Sequence, residues 1–396
     1  MEEIIDNVDI ENLYQHVLNV EGIKNPINSQ DRLNEVADYI VLKFKEYGLE
    51  VSEQHFKIEG FDYTFRNIEG YFGDGKGPEV LVTCHYDTVY NSPGANDNGS
   101  GIAGMLEAAR VIAKINPVLN IRFVAFTLEE FNPNRLKKSF DFARELGLVD
   151  TNNKYLTYNA VRLLKEFNQL RYKLLRKGKS IANTFNLALE KMKDKLTSKE
   201  LQFLEFLKEL YSKETKLTWV GKAGLIGSCK WVEKALDENR EIVGVVNLET
   251  VGYTSNRKHS QQMPSILLPL LFPKFKVRPL QMKGNFILIT ADKNSRKLAK
   301  VFSKQCKNKL IKLPFIRLGL PLKYEAIAKR LGDALRSDHA PFWRENIPAL
   351  MITDTANFRY PFYHTEADTI DKLNFDFIKK VTQVTIATAI GMLKKK

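Results

Sequence analysis

The chain has 396 residues, 44% hydrophobic and 27% charged, with a formal net charge of +13 at pH 7. This is an ordinary globular composition, which excludes a disordered or fibrous protein and leaves room for one large domain or two smaller ones. No apolar run approaches the roughly 18 residues that cross a bilayer, and the scattered Cys84, Cys229 and Cys306 exclude a disulfide framework. The opening MEEIIDNVDIENLYQHV lacks a basic stretch followed by an apolar core, so a cytoplasmic protein without a membrane partner is expected.

In chain order, residues 31–47 carry apolar side chains at helical spacing and stop at Gly48, a C-terminal cap. EVSEQHFKI (Glu50–Ile58) alternates as a strand, and PEVLVTC (Pro78–Cys84) is a buried-type strand that delivers His85 at its end. A helix over Ser100–Ile115 and a second buried strand over Ile121–Thr127 follow, the latter running into Glu129 and Glu130. Further strands are predicted over Glu241–Glu249, Asn285–Thr290 and Pro348–Thr355. Helices are predicted from Ser295 to about Lys307 and from Asp371 to Lys394. Strands alternating with helices predict an α/β fold with a mixed, largely parallel central sheet flanked by helices. Ligands in such folds sit beyond the carboxyl ends of the strands, where the chemically interesting residues fall.

Residues 132–220 break this rhythm. Ile181, Phe185, Leu189, Met192 and Leu196 share one helical face, as do Leu204, Leu207 and Tyr211, and another helix is predicted over Tyr155–Lys177. Residues 132–221 hold 19 Lys and Arg against 10 Asp and Glu, so the chain's positive charge concentrates there. We read a helical insertion within one domain, placed to overhang the site as a lid. It has no glycine-rich or regularly spaced aromatic RNA-binding motif, and no nucleic-acid partner is expected.

HYDTVYNSPGANDNGSG (His85–Gly101) combines a histidine, two aspartates and a turn with several glycines. Asp87 shares a face with His85 on extended backbone, where its carboxylate can accept the second imidazole N–H. Asp97 returns toward His85 after the Pro-Gly turn. Glu129 and Glu130 are adjacent carboxylates at a strand end. One can serve a metal while the other serves as base, although simple exposure also explains such a pair. Glu249 ends an apolar strand, where a lone buried acid is costly without a cation. SDHAPFW and YHTEADT add Asp338, His339 and His364.

The ordered set HYD, PGANDNGSG, LEE, GLIGS, NLETVGY, SDHAPFW and YHTEADT resembles the co-catalytic zinc exopeptidases of metallopeptidase family 28, over most of residues 12–131 and 221–396. That family includes leucyl aminopeptidases, glutamate carboxypeptidases, glutaminyl cyclases and inactive receptor homologues. The resemblance implies the zinc-exopeptidase fold and two Zn²⁺ per chain. It also implies a di-zinc aminopeptidase acting on peptides with a free N-terminus. It makes His85 and Glu249 ligands of one zinc, Glu249 standing where many members have aspartate. Glu130 and His364 become ligands of the other, and Asp97 bridges both. Glu129 becomes the general base toward water, Asp87 the residue that orients His85, and Asp338 a supporting acid; His339 is not a ligand in this pattern. A one-zinc glutaminyl cyclase and a non-catalytic homologue are the alternative functions, and oligomeric state stays open.

Overall fold

The buried strands alternate between two apolar layers. Val80, Val82 and Cys84 face one side of the sheet with Ile121, Phe123 and Ala125, while Leu81, Val124 and Phe126 face the other. In a computed structural model, residues 6–73, 77–115, 119–263 and 281–393 are described. Among them, eight strands form one sheet: β1 (Glu50–Ile58), β2 (Phe61–Phe72), β3 (Glu79–His85), β4 (Ile121–Phe126), β5 (Ile242–Glu249), β6 (Ile287–Ala291), β7 (Phe315–Gly319) and β8 (Ala349–Thr353). Their spatial order is β1-β2-β4-β3-β5-β8-β6-β7.

The four central strands β4, β3, β5 and β8 run parallel. The β1–β2 hairpin joins β4 antiparallel, and β6 and β7, parallel to each other, join β8 antiparallel. Helices Ile10–Val20, Gln30–Glu46, Gly101–Ile115, Arg296–Cys306 and Phe375–Leu393 pack on one face. Helices Ile226–Asp237, Tyr324–Arg330 and His339–Arg344 pack on the other. The mixed, mainly parallel sheet with helices on both faces is the predicted architecture.

Element ends moved by a residue or a few, and several elements are additions to the sequence reading, among them helices Ile10–Val20, Ile226–Asp237, Tyr324–Arg330 and His339–Arg344 and strands β2 and β7. β2 escapes pattern reading because only its second half is buried on both faces. The helix over Tyr155–Lys177 is shorter, Tyr158–Arg176, since the Thr157 side chain caps it by accepting from the Ala160 N–H. Leu196 lies beyond its helix, which closes at Met192.

Residues 132–220 form four helices, Pro133–Glu145, Tyr158–Arg176, Ile181–Met192 and Ser198–Tyr211, followed by a short turn. Each of the four starts on a polar cap: Asn132, Thr157, Ser180 and Thr197, the last with Glu200 in a capping box. They enclose a separate core of Leu163, Phe167, Ile181, Phe185, Leu189 and Met192. Among the described residues, no helix is long and apolar enough to cross a membrane.

Candidate metal centre

β3 lies at the switch point of the sheet, between β4 and β5, so the loops after β3, β4, β5 and β8 converge above it. That convergence assembles two groups of potential metal donors. His85, Asp97 and Glu249 form one; Asp97, Glu130 and His364 form the other. Within each group the donor atoms lie within 4.8 Å of one another, and Asp97 belongs to both. His85 Nε2 stands 3.3 Å from Asp97 Oδ1 and 3.4 Å from Glu249 Oε2. His364 Nε2 stands 3.0 Å from Asp97 Oδ2 and 3.2 Å from Glu130 Oε1.

The local chain explains how each donor is held. Gly94 adopts a φ of +66°, and a Cβ there would meet Asp97 O at 2.4 Å, so the turn back toward His85 requires glycine. The Asp368 carboxylate accepts the Asn96 and Asp97 backbone N–H groups at 2.8 and 3.1 Å. Lys24, fully buried, donates from Nζ to the carbonyls of Gly22 and Pro93, and its backbone exchanges hydrogen bonds with Thr88. It therefore ties together both ends of the loop between Asp87 and Asp97.

Glu249 is steadied by a relay across the sheet. Thr83 donates to Asn247, Asn247 to Ser337 Oγ, and Ser337 Oγ to Glu249 Oε2 at 2.8 Å. Three non-glycine residues with positive φ mark the same region: Leu128 before Glu129, Thr250 after Glu249, and His364 itself. Such strain persists only where surrounding contacts over-determine the backbone, a common property of functional sites.

Asp87 departs from its expected geometry. The nearest acceptor for the His85 Nδ1–H is the Asp87 main-chain oxygen at 3.2 Å, and the carboxylate lies 3.7 Å away. The carboxylate instead accepts the backbone N–H groups of Glu129 and Glu130 at 3.1 and 3.2 Å. With these two amide contacts and the nearby His85 ring, Asp87 couples the His85 loop to the glutamate pair. A proton on Nδ1 leaves the Nε2 lone pair aimed into the first donor group.

His85 Nε2, both Asp97 carboxylate oxygens and His364 Nε2 are buried without hydrogen-bond partners among the described residues. Orphaned buried polar atoms are rare, and four that converge as nitrogen and carboxylate donors suit a cation such as Zn²⁺. The electrostatics agree. Burial opposes charging His85, yet Glu129 and Glu249 hold its pKa well above the usual value. Burial likewise opposes charging His364, which Glu130 and Asp97 nonetheless push to about 10. The field of these carboxylates calls for positive charge, which a metal would supply while displacing protons.

Glu129 belongs to neither donor group. Burial, followed by the neighbouring Glu130 and Glu249, raises its pKa well above the ordinary carboxylate range, with His85 opposing. Asp338 is fully buried and pushed up to about 7, first by burial. Ser228 beside it donates to the Leu225 carbonyl at 3.3 Å. His339 stands apart, as expected: its Nε2 meets Ala334 O at 2.8 Å and its ring packs on Trp343. The sequence reading missed Lys24, Ser337 and Asp368. Asp368 and Ser337 had a signal, their places within YHTEADT and SDHAPFW; Lys24 had none and reaches a carbonyl 69 residues away.

Beside the donors lies a cavity of about 450 Å³. Alternate residues of β6, β7 and β8, including Leu288, Thr290, Leu318 and Met351, form one wall, and helix Tyr158–Arg176 supplies another.

Several known proteins are similar to this chain. It is 24% identical to the uncharacterized protein YfbL of Escherichia coli K12 over 370 residues, 90% of this chain and 79% of that one. It is 55% identical to aminopeptidase YwaD of Bacillus subtilis over 56 residues, only 14% of this chain and 12% of the relative. The crystal structure of Legionella pneumophila LapA aminopeptidase superposes with a TM-score of 0.59 at 18% identity, covering 99% of this chain and 74% of that one. A Bacteroides thetaiotaomicron glutaminyl cyclase superposes at 0.56 with 15% identity, covering 98% and 99% of the two chains. At these identities the superpositions establish a shared fold. The model of peptidase family M28 matches residues 67–164 and 285–389, just over half of the chain, and with that match the chain belongs to peptidase family M28, a family of hydrolases.

Proposed function

We propose that the chain is a di-zinc aminopeptidase that removes N-terminal residues from peptides. One observation carries the reading: two three-donor groups share Asp97, an arrangement suited to two ions bridged by one carboxylate. His85 and Glu249 would hold one Zn²⁺ and Glu130 and His364 the other. When bound, such ions polarise a scissile carbonyl and lower the pKa of water. Glu129, outside both donor groups and lining the cavity, would accept the proton from the attacking water at its carboxylate and return it to the leaving amine. Burial and the neighbouring Glu130 and Glu249 raise its pKa, which strengthens it as a proton acceptor. Asp87 fixes the turn that carries Glu129, and Asp338 supports the site from below as a buried acid.

The aminopeptidase names of the Bacillus and Legionella relatives support peptides with a free N-terminus as substrates. The buried free thiols of Cys84, Cys229 and Cys306 fit the reducing cytoplasm. The same donor set also suits a one-zinc glutaminyl cyclase, and metal count and product separate the two readings.

The test is zinc per chain together with products from a peptide panel. Two zinc ions and released N-terminal residues are expected. Glu129→Gln should lower turnover by ~10²–10⁴-fold with metal retained, whereas His85→Ala or His364→Ala should lose metal. One zinc per chain, with N-terminal glutamine cyclised rather than released, would replace this reading with the cyclase.

A further inference from the structure

Charge in the cavity is lopsided. Arg171, Arg176, Lys216, Arg330 and Arg336 line it, and among the described residues the only acidic lining residue outside the candidate metal centre is Asp333. Asp333 is already engaged, pairing with Arg176 Nε at 2.8 Å. Among the described residues, no carboxylate lies within ion-pair distance of Arg171, Lys216 or Arg336. Lys216 Nζ donates to the Leu175 carbonyl at 3.1 Å. Arg336 donates to Asn357 Oδ1 at 3.1 Å and to the Tyr363 hydroxyl at 3.4 Å. Arg171 lies over the Phe185 ring, 3.4 Å from its centroid, and its buried Nε has no acceptor.

The placement of these cations relative to the metal donors is continuous. Tyr363 stacks on His364 with centroids 3.8 Å apart, Arg336 meets Tyr363, and the Arg336 guanidinium stands 5.7 Å from the Tyr172 ring centroid. Tyr172 neighbours Arg171 on helix Tyr158–Arg176. A ligand seated at the donors therefore extends past Arg336 toward Arg171, neither of which meets a carboxylate among the described residues. Desolvated arginine without a carboxylate is costly, and a planar carboxylate is the group its fork matches. Burial lowers the Arg171 pKa to about 10, as expected for a cation lacking a counter-charge.

We propose that this cavity binds a carboxylate of the ligand, with Arg336 and Arg171 as its partners. On the peptide reading above, on which this inference rests for the molecule carrying it, the carboxylate is either the C-terminus of a short peptide or an acidic side chain beyond the first residue. Arg171 comes from the inserted segment, so that segment would set substrate class.

The test is calorimetric titration of the full-length, zinc-loaded Glu129→Gln chain, in which turnover is blocked. The probes are Leu-Gly-Gly as free acid, the same peptide as its C-terminal amide, and Leu-Glu-Gly amide. At least one acid should bind about tenfold more tightly than Leu-Gly-Gly amide, and which one does so identifies the source of the carboxylate. Arg171→Met should remove most of that advantage, and Arg171→Lys should keep part of it. Equal affinity for acids and neutral amide, with both arginines in place, overturns the proposal. So does an acid preference left intact by both Arg171→Met and Arg336→Gln, which would put the carboxylate on the zinc ions instead. Turnover of the neutral amide by the parent chain reports separately on the aminopeptidase reading.

Discussion

Histidine shows how far a single residue can be read. The chain has six, and the two that meet carboxylates across the site, His85 and His364, arrive from positions nearly 280 residues apart. His16 is the opposite case. It is buried, meets the hydroxyls of Tyr39 and Tyr47, and burial lowers its pKa to about 3, with Lys43 and Arg110 adding to the effect. A histidine in the unfolded chain protonates near 6.5, so between that value and about 3 the unfolded state holds the extra proton. The contribution of His16 is complete above pH 6.5 and is lost as pH falls, at about 1.4 kcal/mol per unit for this ring. His16→Gln should flatten the fall of melting temperature between pH 6.5 and 4; identical slopes for the two chains would discard this account.

At the scale of elements, the site depends on what happens just after each strand. β3 ends on His85 and β5 on Glu249, while β4 leads through Leu128 into the glutamate pair. That last turn is clamped from a distance: the backbone N–H groups of Leu225, Ile226 and Gly227 donate to the carbonyls of Glu129, Leu128 and Thr127 at 2.8, 2.9 and 3.1 Å. A Cβ on Gly227 would stand 2.1 Å from Thr127 O and 2.6 Å from Asn67 Oδ1. Gly227→Ala should therefore cost about 1–3 kcal/mol in denaturant unfolding and lower activity beyond the loss of folded protein, because the Glu129 turn must shift. Parental activity per folded molecule would show that the clamp does not set catalytic geometry. GLIGS was visible in the sequence as a motif, but its role as a clamp on LEE was not, because the hydrogen bonds cross about 100 residues.

Across the whole molecule, the segment of residues 132–220, read from the sequence as an insertion, has ends that meet. The Asn132 N–H donates to Ala223 O at 2.9 Å and its side chain to Lys222 O, while Arg135 pairs with Glu214. Its aliphatic and aromatic core is separate from the two layers on the sheet. Replacing residues 133–220 with a short glycine-serine linker should leave a folded chain that still holds zinc. The same change should abolish the carboxylate preference and admit longer peptides. Zinc content and a length series of peptides measure both effects, and failure of the shortened chain to fold would show that the segment is part of the main core.

Periodicity in the sequence determined the α/β class and many of the elements, strand-end and loop chemistry drew attention to His85, Asp97, Glu130, Glu249 and His364, and the family resemblance implied their roles. These are local properties: alternation reports burial, and an acid or histidine at the end of an apolar run needs a reason. Tertiary structure supplied the distances by which those residues meet in two groups sharing Asp97, the grouping that the family resemblance implied. It also decided that the Asp87 carboxylate, 3.7 Å from His85 Nδ1, accepts the Glu129 and Glu130 amides, and that Lys24 and Asp368 hold the loop in place. Each of these rests on distances of a few ångströms between residues far apart in the chain. Such distances follow from strand order and crossover connections, which local pattern does not encode.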